Sequence, residues 1–165
     1  MTHFATLRDY RFESDIDDVR GAKFYGRDGS PIAKIADIVF DHHSGDIRYL
    51  VLAYGPGRRV LVGIHLAVAD KYSFQSELSL EDLDRLPAFD LRYFENESQW
   101  RAFEQLHQSA MSDRLPPERR RSNVISFNGR KARNQWRDFE NRVRRDLRHL
   151  REACSTCQQH DRRIA

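Results

Sequence analysis

Eight consecutive residues, Ile47-Arg48-Tyr49-Leu50-Val51-Leu52-Ala53-Tyr54, are dominated by β-branched, aromatic and long aliphatic side chains, with turn-forming segments on both sides. His43-Ser44-Gly45-Asp46 precedes the run and Gly55-Pro56-Gly57 follows it. An apolar run this short between such breakers reads as a strand, because proline cannot donate to a ladder and glycine tolerates the tight reversal. It is the best candidate for a central strand in the chain.

Its neighbours repeat the pattern at close, even spacing. Ala22-Lys23-Phe24-Tyr25 runs into Gly26-Arg27-Asp28-Gly29, where the Asp-Gly pair supplies the positive φ angles of a tight hairpin. Ile32 to Phe40 is the next strand. Ile32, Lys34, Ala36, Ile38 and Phe40 share one face by strict alternation, and Ala33, Ile35, Asp37 and Val39 the other. Lys34 and Asp37 blur that alternation, so the inner face stays open. Arg59 to Ile64 returns after the Gly-Pro-Gly break, and a further short strand is expected over Tyr72 to Gln75. Many short strands with regular turns, from Leu7 to about Phe74, suit a small antiparallel barrel or sandwich.

At Ser79 the texture changes. Ser79 is a plausible N-cap, Glu81 and Asp82 suit a first helical turn, and Pro87 is a stop. A second helix is expected from about Ser98, presenting Trp100, Phe103, Leu106 and Met111 towards the barrel. Residues 112–130 contain Pro116-Pro117, Arg119-Arg120-Arg121 and Asn128-Gly129 and read as a basic linker, interrupted by the short apolar patch Val124-Ile125-Ser126-Phe127. Beyond it Trp136, Phe139, Val143, Leu147, Leu150, Cys154 and Cys157 recur at steps of three and four, the signature of an amphipathic helix over 131–160.

The formal net charge of +3 conceals two halves of opposite sign. Residues 1–111 hold 13 Lys and Arg against 18 Asp and Glu, and residues 112–165 hold 15 against 7. No apolar run approaches the roughly 20 residues of a membrane span. Met1-Thr2-His3-Phe4 lacks the basic-then-apolar order of a signal peptide. A cytoplasmic location is the expectation, and the two cysteines, both near the end of the chain, are no secreted disulfide framework.

The ordered fragments between about residues 14 and 91 resemble the PRC-barrel family. Asp18 to Tyr25 resembles its opening strand, and Arg27-Asp28-Gly29 with Ile32 to Asp41 its first hairpin. Gly45 to Leu52 resembles the strand that carries tyrosine, leucine and valine, and Leu78 to Asp90 the closing helical turn. Ala33 stands where the family often has glycine, and Gly63 where proline is frequent. The resemblance implies a small β-barrel over 7–93, to which the residue pattern adds a helix packed on it over 94–111, the linker and the long C-terminal helix, a mainly β chain overall. It also implies a platform for macromolecular partners, a tendency to dimerise and no enzymatic activity. The fold is shared with the reaction-centre H subunit, which has a preceding membrane helix, and with a ribosome maturation factor.

Side chains capable of chemistry are sparse. His149, Cys154, Cys157 and His160 are metal-capable within twelve residues and could hold zinc, but on one continuous helix they would not converge. The plainer account has Cys154 and Cys157 continuing the apolar stripe, with redox or interchain disulfide chemistry as a further alternative; the default expectation is no cofactor. His42-His43 beside Asp41 and Asp46 could shuttle protons but suits a wet turn. Asp15-Ile16-Asp17-Asp18 lacks the glycine and distal glutamate of a calcium loop. No nucleophile elbow, phosphate loop or dinucleotide fingerprint occurs.

Residues 130–153 carry nine Lys and Arg against four Asp and Glu on the helix that bears Trp136 and Phe139. The stripe Trp136, Phe139, Val143, Leu147 and Leu150 calls for burial, and the expected partner is a protein, in the first instance a second copy of the chain. Nucleic acid is the second reading, with Arg119, Arg120, Arg121, Arg130, Lys131 and Arg133 on phosphates. Docking on the barrel in cis and a peripheral membrane contact are weaker alternatives.

Overall fold

A computed structural model describes residues 4–7, 18–41, 44, 46–70 and 73–112, together with position 141. The strands are β1 (Phe4–Thr6), β2 (Lys23–Tyr25), β3 (Pro31–Asp41), β4 (Ile47–Tyr54), β5 (Arg58–Gly63), β6 (Ala67–Asp70) and β7 (Ser73–Ser76), followed by helices α1 (Leu80–Arg85) and α2 (Glu97–Ser112). The strands form one curled, half-barrel sheet in the order β5-β4-β3-β2-β7-β6, with β1 on β3.

The long strand β3 organises the sheet. On one edge it pairs with β4; on the other, β2 takes its first half and β1 its second. The β2–β3 hairpin reverses at the Asp-Gly pair as expected, with Gly29 at φ 75° and its amide donating to the Gly26 carbonyl at 2.9 Å. β4 is an interior strand between β3 and β5. Two features differ from a purely antiparallel barrel. β6 is an additional strand, pairing with β7, which occupies 73–76 where 72–75 was expected. β7 then lies parallel to β2, which curls the sheet onto its far edge.

The blurred alternation of β3 has a physical cause. Ala33 and Ile35 face the inner core, and so do Ile38 and Phe40, which a strict period of two would put on the opposite face. A β-bulge between Ile35 and Asp37 resets the parity. The Asp37 carboxylate holds the bent segment, accepting from its neighbour's amide, Ile38 N, at 2.8 Å and from Leu7 N at 3.0 Å. One side chain thus fixes both the bend and the segment following β1. A second irregularity between Val39 and Phe40 keeps Ile47 inside opposite Phe40.

Inside the curl, Phe24, Ile35, Ile38, Leu50, Leu52, Val60 and Val62 are almost wholly buried. Registered pairs stack them: Ile38 and Val62 flank Leu50, and Ile35 and Val60 flank Leu52. Helix α1 adds Leu83 to this core, and its C-cap residue Leu86 joins it. Ser79 caps α1 in a reciprocal box with Asp82, Arg27 pairs with Asp82 at 2.9 Å, and the Arg58 guanidinium donates to the Asp84 and Leu86 carbonyls at 2.7 and 3.1 Å. α1 is therefore tied to the β2–β3 turn at one end and to the start of β5 at the other, and its cap satisfies groups a helix terminus leaves orphaned.

Replacing Asp37 with alanine leaves two backbone amides without this acceptor. The expected loss is about 1–3 kcal/mol, read as a lower urea midpoint at an unchanged slope.

Candidate partner-binding face

The outer face of the sheet has two unlike halves. Over one half, Val39, Val51 and Leu61 meet Phe89, Phe94, Trp100 and Phe103 in a second buried cluster. The rings pack closely: Phe94 and Trp100 centroids are 5.0 Å apart, and Tyr93 stacks on Phe103 at 4.7 Å. Helix α2 supplies Trp100, Phe103, His107 and Met111 to its buried side, and the Asn96 side chain accepts from Ser98 N at 2.8 Å at its start. Leu106, expected inward, is 64% exposed. At about 100° per residue it lies about 120° round the helix from Trp100, whereas His107 falls almost directly beneath it.

His107 occupies the inward place that Leu106 does not. Its Nε2 lies 2.7 Å from the Leu61 carbonyl, and an oxygen that only accepts requires the proton on Nε2. Tyr49 packs edge-on against the imidazole at 5.6 Å and donates its hydroxyl to Glu104 at 2.9 Å, tying β4 to α2. Burial, with the Glu104 carboxylate beside it, raises the Tyr49 pKa well above its ordinary value. Opposite Tyr49 stands Gly63, where a Cβ would come within 2.5 Å of the His65 ring, so the position has no room for a side chain unless that ring moves. Ala33 is buried against its cross-strand partner Phe24.

The other half of the outer face is open and basic. Lys23 of β2 pairs in register with Lys34 of β3, Lys34 with Ala53 of β4, and Ala53 with Arg59 of β5. Registered partners point to the same side of a sheet, so these four form one row across four strands. Lys23, Lys34 and Arg59 are exposed, Ala53 is half-buried, and among the described residues none of the three cations has an ion-pair partner. Sequence reading missed this row because its members are far apart in the chain and meet only through register; Lys34 interrupting the β3 pattern was its one visible trace.

The candidate residues of the C-terminal segment lie outside the described residues: the set His149, Cys154, Cys157 and His160, the cations Arg119, Arg120, Arg121, Arg130, Lys131 and Arg133, and the stripe Trp136, Phe139, Val143, Leu147 and Leu150. His42-His43, Asp15 and Asp17 lie outside them too. Asp18 is described and pairs with Arg20 at 2.7 Å. Among the described residues no group of His, Cys, Asp and Glu could hold a metal ion, and no helix is long and apolar enough to cross a membrane.

A curled half-barrel sheet around one apolar core, with its outer face partly roofed and partly open, defines the class of a small barrel domain. Residues 13–74 match the family model described as PRC-barrel domain, in agreement with the curled sheet they build. The match ends before α1 and α2. No curated protein matches the chain.

His107 makes stability depend on pH. Burial pushes its imidazole below the ordinary value of 6.5, against smaller opposing pulls from the Leu61 carbonyl and Glu104. The unfolded chain then binds the proton more readily, so this group's contribution is intact above about pH 6.5 and declines as pH falls below it. Denaturant midpoints at pH 5 and 7.5 should differ in the parent protein, and His107→Gln should reduce the difference.

Proposed function

We propose that the protein is a non-catalytic binding platform, in which the PRC barrel is a rigid scaffold and the Arg-rich C-terminal segment associates with a protein, first of all a second copy of the chain. The engagement of four polar side chains of the barrel region in structural bonds carries this reading. His107 is committed to the Leu61 carbonyl, Asp37 to two amides, Asp82 to a helix cap and Glu104 to Tyr49. Groups fixed in this way hold shape and leave the exposed surfaces to recognise partners. The sign change at residue 112 and the apolar stripe beginning at Trp136 support placing association in the C-terminal segment. Light scattering on the full chain and on a 1–111 truncation tests it. A dimeric mass for the first and a monomeric mass for the second is expected; monomers for both defeat the association.

The surplus of nine cations over four anions in residues 130–153 favours a second reading, association with RNA or DNA. It predicts retention of a labelled oligonucleotide at about 50 mM salt, lost on replacing Arg119, Arg120 and Arg121 with glutamate and weakening steeply towards physiological salt. No retention at the lower salt would exclude it.

A further inference from the structure

We infer that the open half of the sheet's outer face, the row Lys23, Lys34, Ala53 and Arg59, is a docking surface for an acidic α-helix of a protein partner. The row departs from what folding alone favours. Like charges directly opposite on neighbouring strands destabilise a sheet, and Lys23 and Lys34 are such a pair, with no acidic neighbour in ion-pair contact among the described residues. An anion laid across the row removes that repulsion.

Geometry narrows the occupant. Strands lie about 4.8 Å apart, which puts the three cations at about 0, 5 and 14 Å along the row. Residues i, i+3 and i+10 of a helix rise about 0, 4.5 and 15 Å and stay within one face. Helix geometry also suits a sheet face. An extended segment on a face finds no ladder partners for its amides and carbonyls, whereas a helix satisfies its own, as α2 does on the other half of the same face. Ala53 is the small residue at the middle of the row, where a helix can come close to the sheet.

Charge separates this occupant from a nucleic acid or an anionic membrane. Residues 1–111 carry five more acids than bases, so the field of the barrel region opposes an extended polyanion. A short helix with three carboxylates in register meets the cations locally. No aromatic side chain stands in the row to stack a base. This surface is distinct from the C-terminal segment, so its success or failure leaves the light-scattering result standing.

The experiment uses the isotope-labelled full chain and a helical peptide of roughly 15 residues, rich in alanine, with glutamate at i, i+3 and i+10. Backbone amide resonances of Lys23, Lys34, Ala53 and Arg59 should move on titration. Lys34→Glu should weaken the affinity read at Lys23, Ala53 and Arg59 by about tenfold, the scale of a lost charge contact, and Lys34→Gln by less. A peptide of equal composition with its glutamates spread round the helix should bind more weakly. Dispersed strand resonances in both variants show that the fold is kept. The inference is overturned if those amides stay still while others move, or if Lys34→Glu leaves the affinity unchanged. It is equally overturned if, at equal charge concentration, an oligouridylate or a phosphatidylserine vesicle moves the row more than the peptide does.

Discussion

The bend in β3 is the constraint on which the rest of the barrel depends. One strand must pair with β2 and β1 along one edge and β4 along the other, while feeding a single inner core from both of its halves. A regular strand cannot curl this tightly, and the extra residue at Ala36 supplies both the turn and the reset of facing. The cost is local backbone that leaves the ladder, and Asp37 offsets it by accepting from two amides with one oxygen. A carboxylate inside a strand pattern, which weakens the case for a strand when read linearly, is here part of what lets the strand exist.

The sequence made strands legible better than it made pairing legible. Ile47 to Tyr54, the Asp28-Gly29 reversal, the Gly55-Pro56-Gly57 break and the Ser79 cap each act locally, through propensity or turn chemistry, and each stands where local reasoning puts it. β6 is short and carries little β-rich composition; it exists because β7 gives it a partner. The parallel contact of β2 with β7 is set by closure of the curl, which no neighbouring residues encode. Leu106 and His107 illustrate the same limit at helix scale. Hydrophobicity favours the leucine, but phase decides, and the imidazole is accepted because Leu61 offers it a carbonyl.

The candidate site divides in the same way. The C-terminal cations and apolar stripe are linear features of the sequence, and they lie outside the described residues. The row on the sheet is not a linear feature, since Lys23, Lys34 and Arg59 become neighbours only when three ladders fix their register.

The two halves of the outer face then solve opposite problems. Where Val39, Val51 and Leu61 are apolar, the sheet needs a cover, and the chain supplies α2 with a dense aromatic layer anchored by Tyr49 and Glu104. Such a layer is rigid, because each ring is confined by several others. Where Lys34 and Arg59 flank Ala53, covering the sheet with the same kind of helix would bury charge, so that half stays in water. Rigidity of the roofed half holds the open half in register. A cation row on a pliable surface would relax apart under its own repulsion; on strands locked by Leu50, Leu52 and the α2 layer it keeps its spacing. The packing that gives the barrel its stability therefore also fixes the register of the strands from which the three cations project.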